Sequence, residues 1–69
     1  MKVVTVAERE AVIRLSEGEL TAICNSLNEI CHGIEIADFG TRIGYSLEET
    51  QALLDSTGDL LSRMRQSNR

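Results

Sequence analysis

Along this chain the spacing of apolar positions changes near residue 16. From Lys2 to Val6 and from Glu10 to Leu15 valine and isoleucine dominate, and in the second stretch Ala11, Ile13 and Leu15 alternate with Val12 and Arg14, the period of a half-buried strand. The two stretches predict a β-hairpin. Its connection, Ala7-Glu8-Arg9, holds neither glycine nor asparagine, so the turn chemistry is weak and one segment could serve as an arm or as the start of a helix instead. After Ser16 the spacing becomes three and four. Leu20, Ile23, Cys24, Leu27, Ile30 and Cys31 then share one face of a helix, with Thr21, Asn25, Asn28, Glu29 and His32 on the other. Ser16 and Glu19 have the spacing of a capping box, Leu15 can staple onto Leu20, and Gly33 is expected to end the helix in the left-handed conformation.

A short helix is expected from Asp38 to Ile43, and a longer one after Ser46, whose capping partner is Glu49. Leu47, Leu54 and Leu61 are seven apart with Thr50, Thr57 and Met64 between them, which predicts a heptad seam beside a core face on the last helix. Gly58 weakens that helix by about 1 kcal/mol relative to alanine. The fold class that follows is α+β: a short N-terminal β-hairpin or arm over residues 1–15 packed with three helices over residues 16–64, and a flexible tail over 65–69. Residues 38–54 resemble a helix-turn-helix. Phe39 and Ile43 supply the apolar positions of its first helix, Gly40 stands where the helices would cross, Gly44 in the turn, Tyr45 after it and Leu53 on the second helix.

With 69 residues the chain supports one small domain, residues 1–69. A core of that size rarely supplies more than roughly 3–5 kcal/mol unaided, so a homodimer or a bound protein partner is expected. The 42% apolar and 26% charged residues are those of a folding domain. Val3 to Ala7 is too short for a signal-peptide core, and no run approaches the roughly 18 apolar residues of a membrane span, so the expected location is cytoplasmic.

Charge narrows the partners. The net charge of −4 conceals an acidic middle: between Ser16 and Leu60 stand Glu17, Glu19, Glu29, Glu35, Asp38, Glu48, Glu49, Asp55 and Asp59 against Arg42 alone. The remaining bases, Lys2, Arg9, Arg14, Arg63, Arg65 and Arg69, lie toward the ends. Such a body repels polyanions and attracts a basic protein. The same argument weighs on the helix-turn-helix segment, whose second helix would meet phosphates with Glu48 and Glu49 in its first turn.

Candidate chemistry is sparse. Cys24 and Cys31, seven apart on one helix, would have backbones about 10.5 Å apart, too far for a disulfide, and read as buried thiols. A zinc set drawn from Cys31, His32, Glu29, Glu35 and Asp38 lacks paired ligands, since Cys31 is expected toward the apolar face and His32 away from it. No nucleophile, base and orienter come together, and no glycine-rich phosphate loop is present. The expectation is a non-enzyme with no cofactor and no metal. The exposed strip Asn25, Asn28, Glu29 and His32, continuing into the loop Glu35, Asp38 and Arg42, supplies mixed donors and acceptors suited to a protein interface.

The stretch from Leu27 to Gly44, Leu-Asn-Glu-Ile-Cys-His-Gly-Ile-Glu-Ile-Ala-Asp-Phe-Gly-Thr-Arg-Ile-Gly, is similar to a group of small bacterial proteins, most of them uncharacterised. Some compact acidic proteins of that kind are immunity proteins of toxin systems. The resemblance implies a non-catalytic protein-binding module, an acidic inhibitor of a basic toxin, without fixing residues; the polar strip supplies the expected contacts, Asn25, Asn28, Glu29, His32, Glu35 and Asp38. The alternative is a small dimeric helix-turn-helix regulator, its last helix in the major groove and its basic ends on the backbone. A bare assembly module that only self-associates is the third reading.

Overall fold

A computed structural model of the chain describes residues 1–67. Strands β1 (Lys2–Val6) and β2 (Ala11–Arg14) pair as an antiparallel hairpin, followed by α1 (Glu17–Asn28), α2 (Phe39–Ile43) and α3 (Leu47–Ser67). This is the α+β arrangement that the apolar spacing predicts. The last helix runs to Ser67, so residues 65–67, expected in a flexible tail, are helical. The rest of that expected tail lies outside the described residues.

The hairpin closes over Glu8-Arg9, the Ala7 N–H donating to the Glu10 carbonyl at 2.9 Å. Neither loop residue has a positive φ, so the turn is not one of the primed types that match strand twist. Register pairs Lys2 with Arg14, Val3 with Ile13, Thr5 with Val12 and Val6 with Ala11, leaving Val4 as the extra residue of a β-bulge. The bulge sorts the side chains. Directly opposed residues share a face, so Val3, Val6, Ala11 and Ile13 form one apolar face, while Lys2, Thr5, Val12 and Arg14 form the other. Without the extra residue Val3 and Val6, three apart, would fall on opposite faces.

The expected half-buried strand is not found. Every residue of both strands is exposed, because β2 passes into α1 through Leu15 and Ser16 alone and the hairpin does not fold back over the helices. Its ties to the helices are Leu15, packed against the core, and the Met1 ammonium, which donates to Glu19 Oε2.

Helix α1 begins as its sequence requires. The Glu19 N–H donates to Ser16 Oγ at 3.1 Å and the Ser16 N–H donates to Glu19 Oε1 at 2.9 Å, which closes the capping box. The same reciprocal pair starts α3, with Glu49 N–H to Ser46 Oγ and Ser46 N–H to Glu49 Oε1, both 3.1 Å. The end of α1 differs from expectation. After Asn28 the chain widens into a π-helical turn, Glu29–Gly33, closed by the Ile34 N–H donating to the Glu29 carbonyl at 3.0 Å. Gly33 therefore does not take the left-handed conformation; Ile34 is already extended at φ −132°.

The core lies between α1 and α3. Leu20, Cys24 and Leu61 are buried, with Leu15 and Met64 against them. Thr50 is as buried as Leu20, at 1% exposure, because its hydroxyl donates to the Ser46 carbonyl at 2.8 Å and only its methyl needs an apolar neighbour. Thr50, Leu54, Thr57, Leu61 and Met64 are all buried or half-buried and form the face that meets α1, whereas Leu47, the first residue of the expected seam, is 46% exposed. Arg65 Nε lies 3.5 Å from Glu17 Oε1 and joins the two helices at their far ends.

The molecule is a slab of 40 × 32 × 16 Å, its thin dimension little more than one helix with its side chains. Its radius of gyration of 13.6 Å exceeds the roughly 11 Å of a compact chain of this length. No helix among the described residues is long and apolar enough to cross a membrane.

Candidate functional site

The π turn controls where the expected contact residues lie. A regular helix advances 3.6 residues per turn, and a wider turn inserted at Glu29 shifts every later side chain around the axis. Asn25, Asn28 and Glu29 remain exposed on α1 and at its end. The Glu29 carboxylate lies over Gly33, where an added Cβ would run into it. His32, expected to point away from Cys31, instead shares a groove with it. Cys31, expected as a core thiol beside Cys24, is only half-buried there, and both thiols are free.

That groove has a volume of about 490 Å³ between the π turn and the first half of α3, and is lined by Cys31, His32, Leu47, Glu48, Gln51, Ala52 and Asp55. A second hollow of about 370 Å³ shares Cys31, His32 and Leu47 with it and continues along Ile34, Glu35, Ile36 and Phe39. Together they make one trough. Its apolar wall comes from isoleucine, leucine and phenylalanine side chains, and its charges are the carboxylates Glu35, Glu48 and Asp55 beside one imidazole. The Gln51 amide donates to Asp55 Oδ1 at 3.0 Å and holds that carboxylate along the helix.

Asp38, the last of the expected contacts, has a structural role. It stands before α2 in the left-handed conformation, φ 56° and ψ 49°, which aspartate tolerates better than most residues, and its Oδ1 accepts from the Thr41 hydroxyl at 3.2 Å. The turn before α3 rests on Gly44 at φ 86°. Gly40, expected where the last two helices cross, has open space around it: an added Cβ would meet nothing within 4 Å. Phe39 is half-buried, whereas Ile43, Tyr45 and Leu53 are exposed.

Six contact residues were expected on one strip; the structure brings His32 and Glu35 into the trough, leaves Asn25, Asn28 and Glu29 on the adjoining outer surface, and sets Asp38 at the start of α2. The sequence reading missed Gln51 and Asp55 as their neighbours. Their signal was present, since Glu48, Gln51 and Asp55 recur at three and four and so share a helix face. Among the described residues no three histidine, cysteine or acidic side chains converge as metal ligands. No family model matches the chain, and no curated protein or solved structure does either.

Proposed function

We propose that this chain is a non-catalytic protein-binding module whose trough receives a basic segment of a partner protein. The observation that carries the reading is the pairing in one trough of an apolar wall with three carboxylates. An apolar anchor supplies affinity, and acids around it steer and align a positively charged partner. Asn25, Asn28 and Glu29 extend the contact on the outer surface of α1. Within this class an immunity-type inhibitor of a basic toxin suits the charge best, and the reading includes a second copy of the chain, because the small core leaves surface that self-association would cover.

The regulator reading has weaker support. Arg63 pairs with Asp59 at 3.0 Å and Arg65 with Glu17, so two of the bases that would meet phosphates already face carboxylates. Glu48 and Glu49 occupy the first turn of the helix that would enter the groove.

Affinity capture of the tagged chain from nuclease-treated extract of its native cells, followed by mass spectrometry, tests the proposal. A stoichiometric basic protein is expected. Its affinity should fall at least tenfold in Glu48→Gln with Asp55→Asn, and by less in Glu29→Gln with Asp38→Asn, with a weaker salt dependence in each. Unchanged affinity in the first variant removes the trough from the interface, and duplex DNA retained in a parallel untreated sample in place of any protein favours the regulator.

A further inference from the structure

The hairpin and one face of α3 are both apolar and both uncovered. Val3, Val6, Ala11 and Ile13 share one hairpin face, and Val6 is 74% exposed. A two-stranded hairpin is marginal in water by itself, so this one needs something against that face. On α3, Leu53 and Leu60 are seven residues apart on one side of the helix, 44% and 48% exposed, and flank the α1 contact made by Thr50, Leu54 and Leu61. Tyr45, Glu49, Ala52, Leu53 and Ser56 line a shallow hollow of about 300 Å³ at the start of this stripe.

Area and charge say what covers them. The chain exposes 5477 Å², against about 4,300 Å² for a compact monomer of 7.6 kDa. The excess is larger than the roughly 800 Å² that each partner contributes to a standard specific interface. Four short side chains on the hairpin fall well below that area, so two hairpins stacked on each other would not account for it. A hairpin laid on a helix stripe, with the exchange returned, uses both surfaces of both copies. Residues 1–15 carry three bases and two acids, whereas residues 16–69 carry four bases and nine acids. At long range the approach of a hairpin to a helical body is therefore favoured over that of hairpin to hairpin, although Lys2 and Arg14 stand on the hairpin face turned away from the contact.

We infer that two copies of the chain associate reciprocally, each laying the Val3, Val6, Ala11 and Ile13 face of its hairpin on the Leu53–Leu60 stripe of the other. This rests on the self-association included in the proposed function and names its surface. It is a closed two-fold arrangement in which each copy gives one sheet face and one helix stripe, the pairing of layers that ordinarily builds a core. Lys2, Thr5, Val12 and Arg14 stay on the outward face of the hairpin.

The test is molar mass by light scattering across a dilution series of the wild-type chain, Val6→Lys, Leu53→Glu and, on the outward hairpin face, Thr5→Lys. All three positions are exposed, and far-UV circular dichroism checks that helix content is unchanged. The wild type and Thr5→Lys should run at twice the 7.6 kDa chain mass, and Val6→Lys and Leu53→Glu should each weaken association at least tenfold. Dissociation by Val6→Lys alone would put hairpin on hairpin, and by Leu53→Glu alone helix on helix; either overturns the inference while keeping self-association. A dimer unaffected by both lies on another surface and overturns it also. A monomeric wild type overturns self-association and leaves the trough to its own binding experiment.

Discussion

Gly33 and Gly44 look alike in the sequence, each closing an apolar helical run, and the structure treats them as opposites. Gly44 stands at φ 86° with open space around it, so replacing it with alanine should cost about 1–2 kcal/mol in backbone strain alone. Gly33 has no positive φ, and the Glu29 carboxylate above it is the far end of an exposed, flexible side chain. Gly33→Ala should therefore be neutral or stabilise the chain by roughly 0.4–1 kcal/mol through the unfolded state. Urea melts of both variants check the contrast, and a large loss in Gly33→Ala would mean that the π turn needs glycine for a reason other than its backbone. The sequence could not separate the two positions, because a glycine after a helix signals permissiveness without saying whether a left-handed residue is required. Asp38 shows the converse: an ordinary acid in the sequence holds the positive φ that was expected at Gly33.

At the scale of elements, the parts set by nearby residues were legible. Both capping boxes follow from a serine and a glutamate three apart, and both form. Ser16→Ala should cost about 1 kcal/mol by thermal melt. The Glu19 carboxyl is held down from its usual 4.5 to about 2, first by the Met1 ammonium and then by the backbone and side chain of Ser16. Because the folded value is the lower one, this contribution to stability is complete above pH 4.5 and is lost as the pH falls toward 2. A carboxyl titration by NMR should find that midpoint in the wild type and a higher one in Ser16→Ala. The π turn and the β-bulge were not legible. Each inserts one residue into a regular ladder, and over five residues a wider helical turn leaves the same apolar spacing as an ordinary one. The sequence therefore carried α1 through to Gly33 and read its polar strip as continuous, whereas the wider turn rotates His32 beside Cys31.

For the molecule as a whole, the reading of hairpin and three helices matches, and the misjudged quantity is burial. Alternation in β2 implied a buried face, but a period-two pattern says which side is apolar and not whether anything in the same chain covers it. The same gap hid the trough, whose walls come from segments some twenty residues apart in sequence. With Leu20, Cys24 and Leu61 as the buried apolar residues, one truncation should be decisive. Leu20→Ala removes about 2–5 kcal/mol from a core that supplies roughly 3–5, so circular dichroism at 25 °C should find a substantial unfolded fraction unless a partner is bound. A core of so few side chains also leaves descent little to hold constant. Most positions are exposed, where substitution usually shifts stability by under about 0.5 kcal/mol, so related chains can drift apart almost everywhere without losing the fold. Their kinship would persist as a spaced signature: serine and glutamate three apart at 16 and 46, a glycine at 44, and small or apolar residues at 20, 24, 50 and 61.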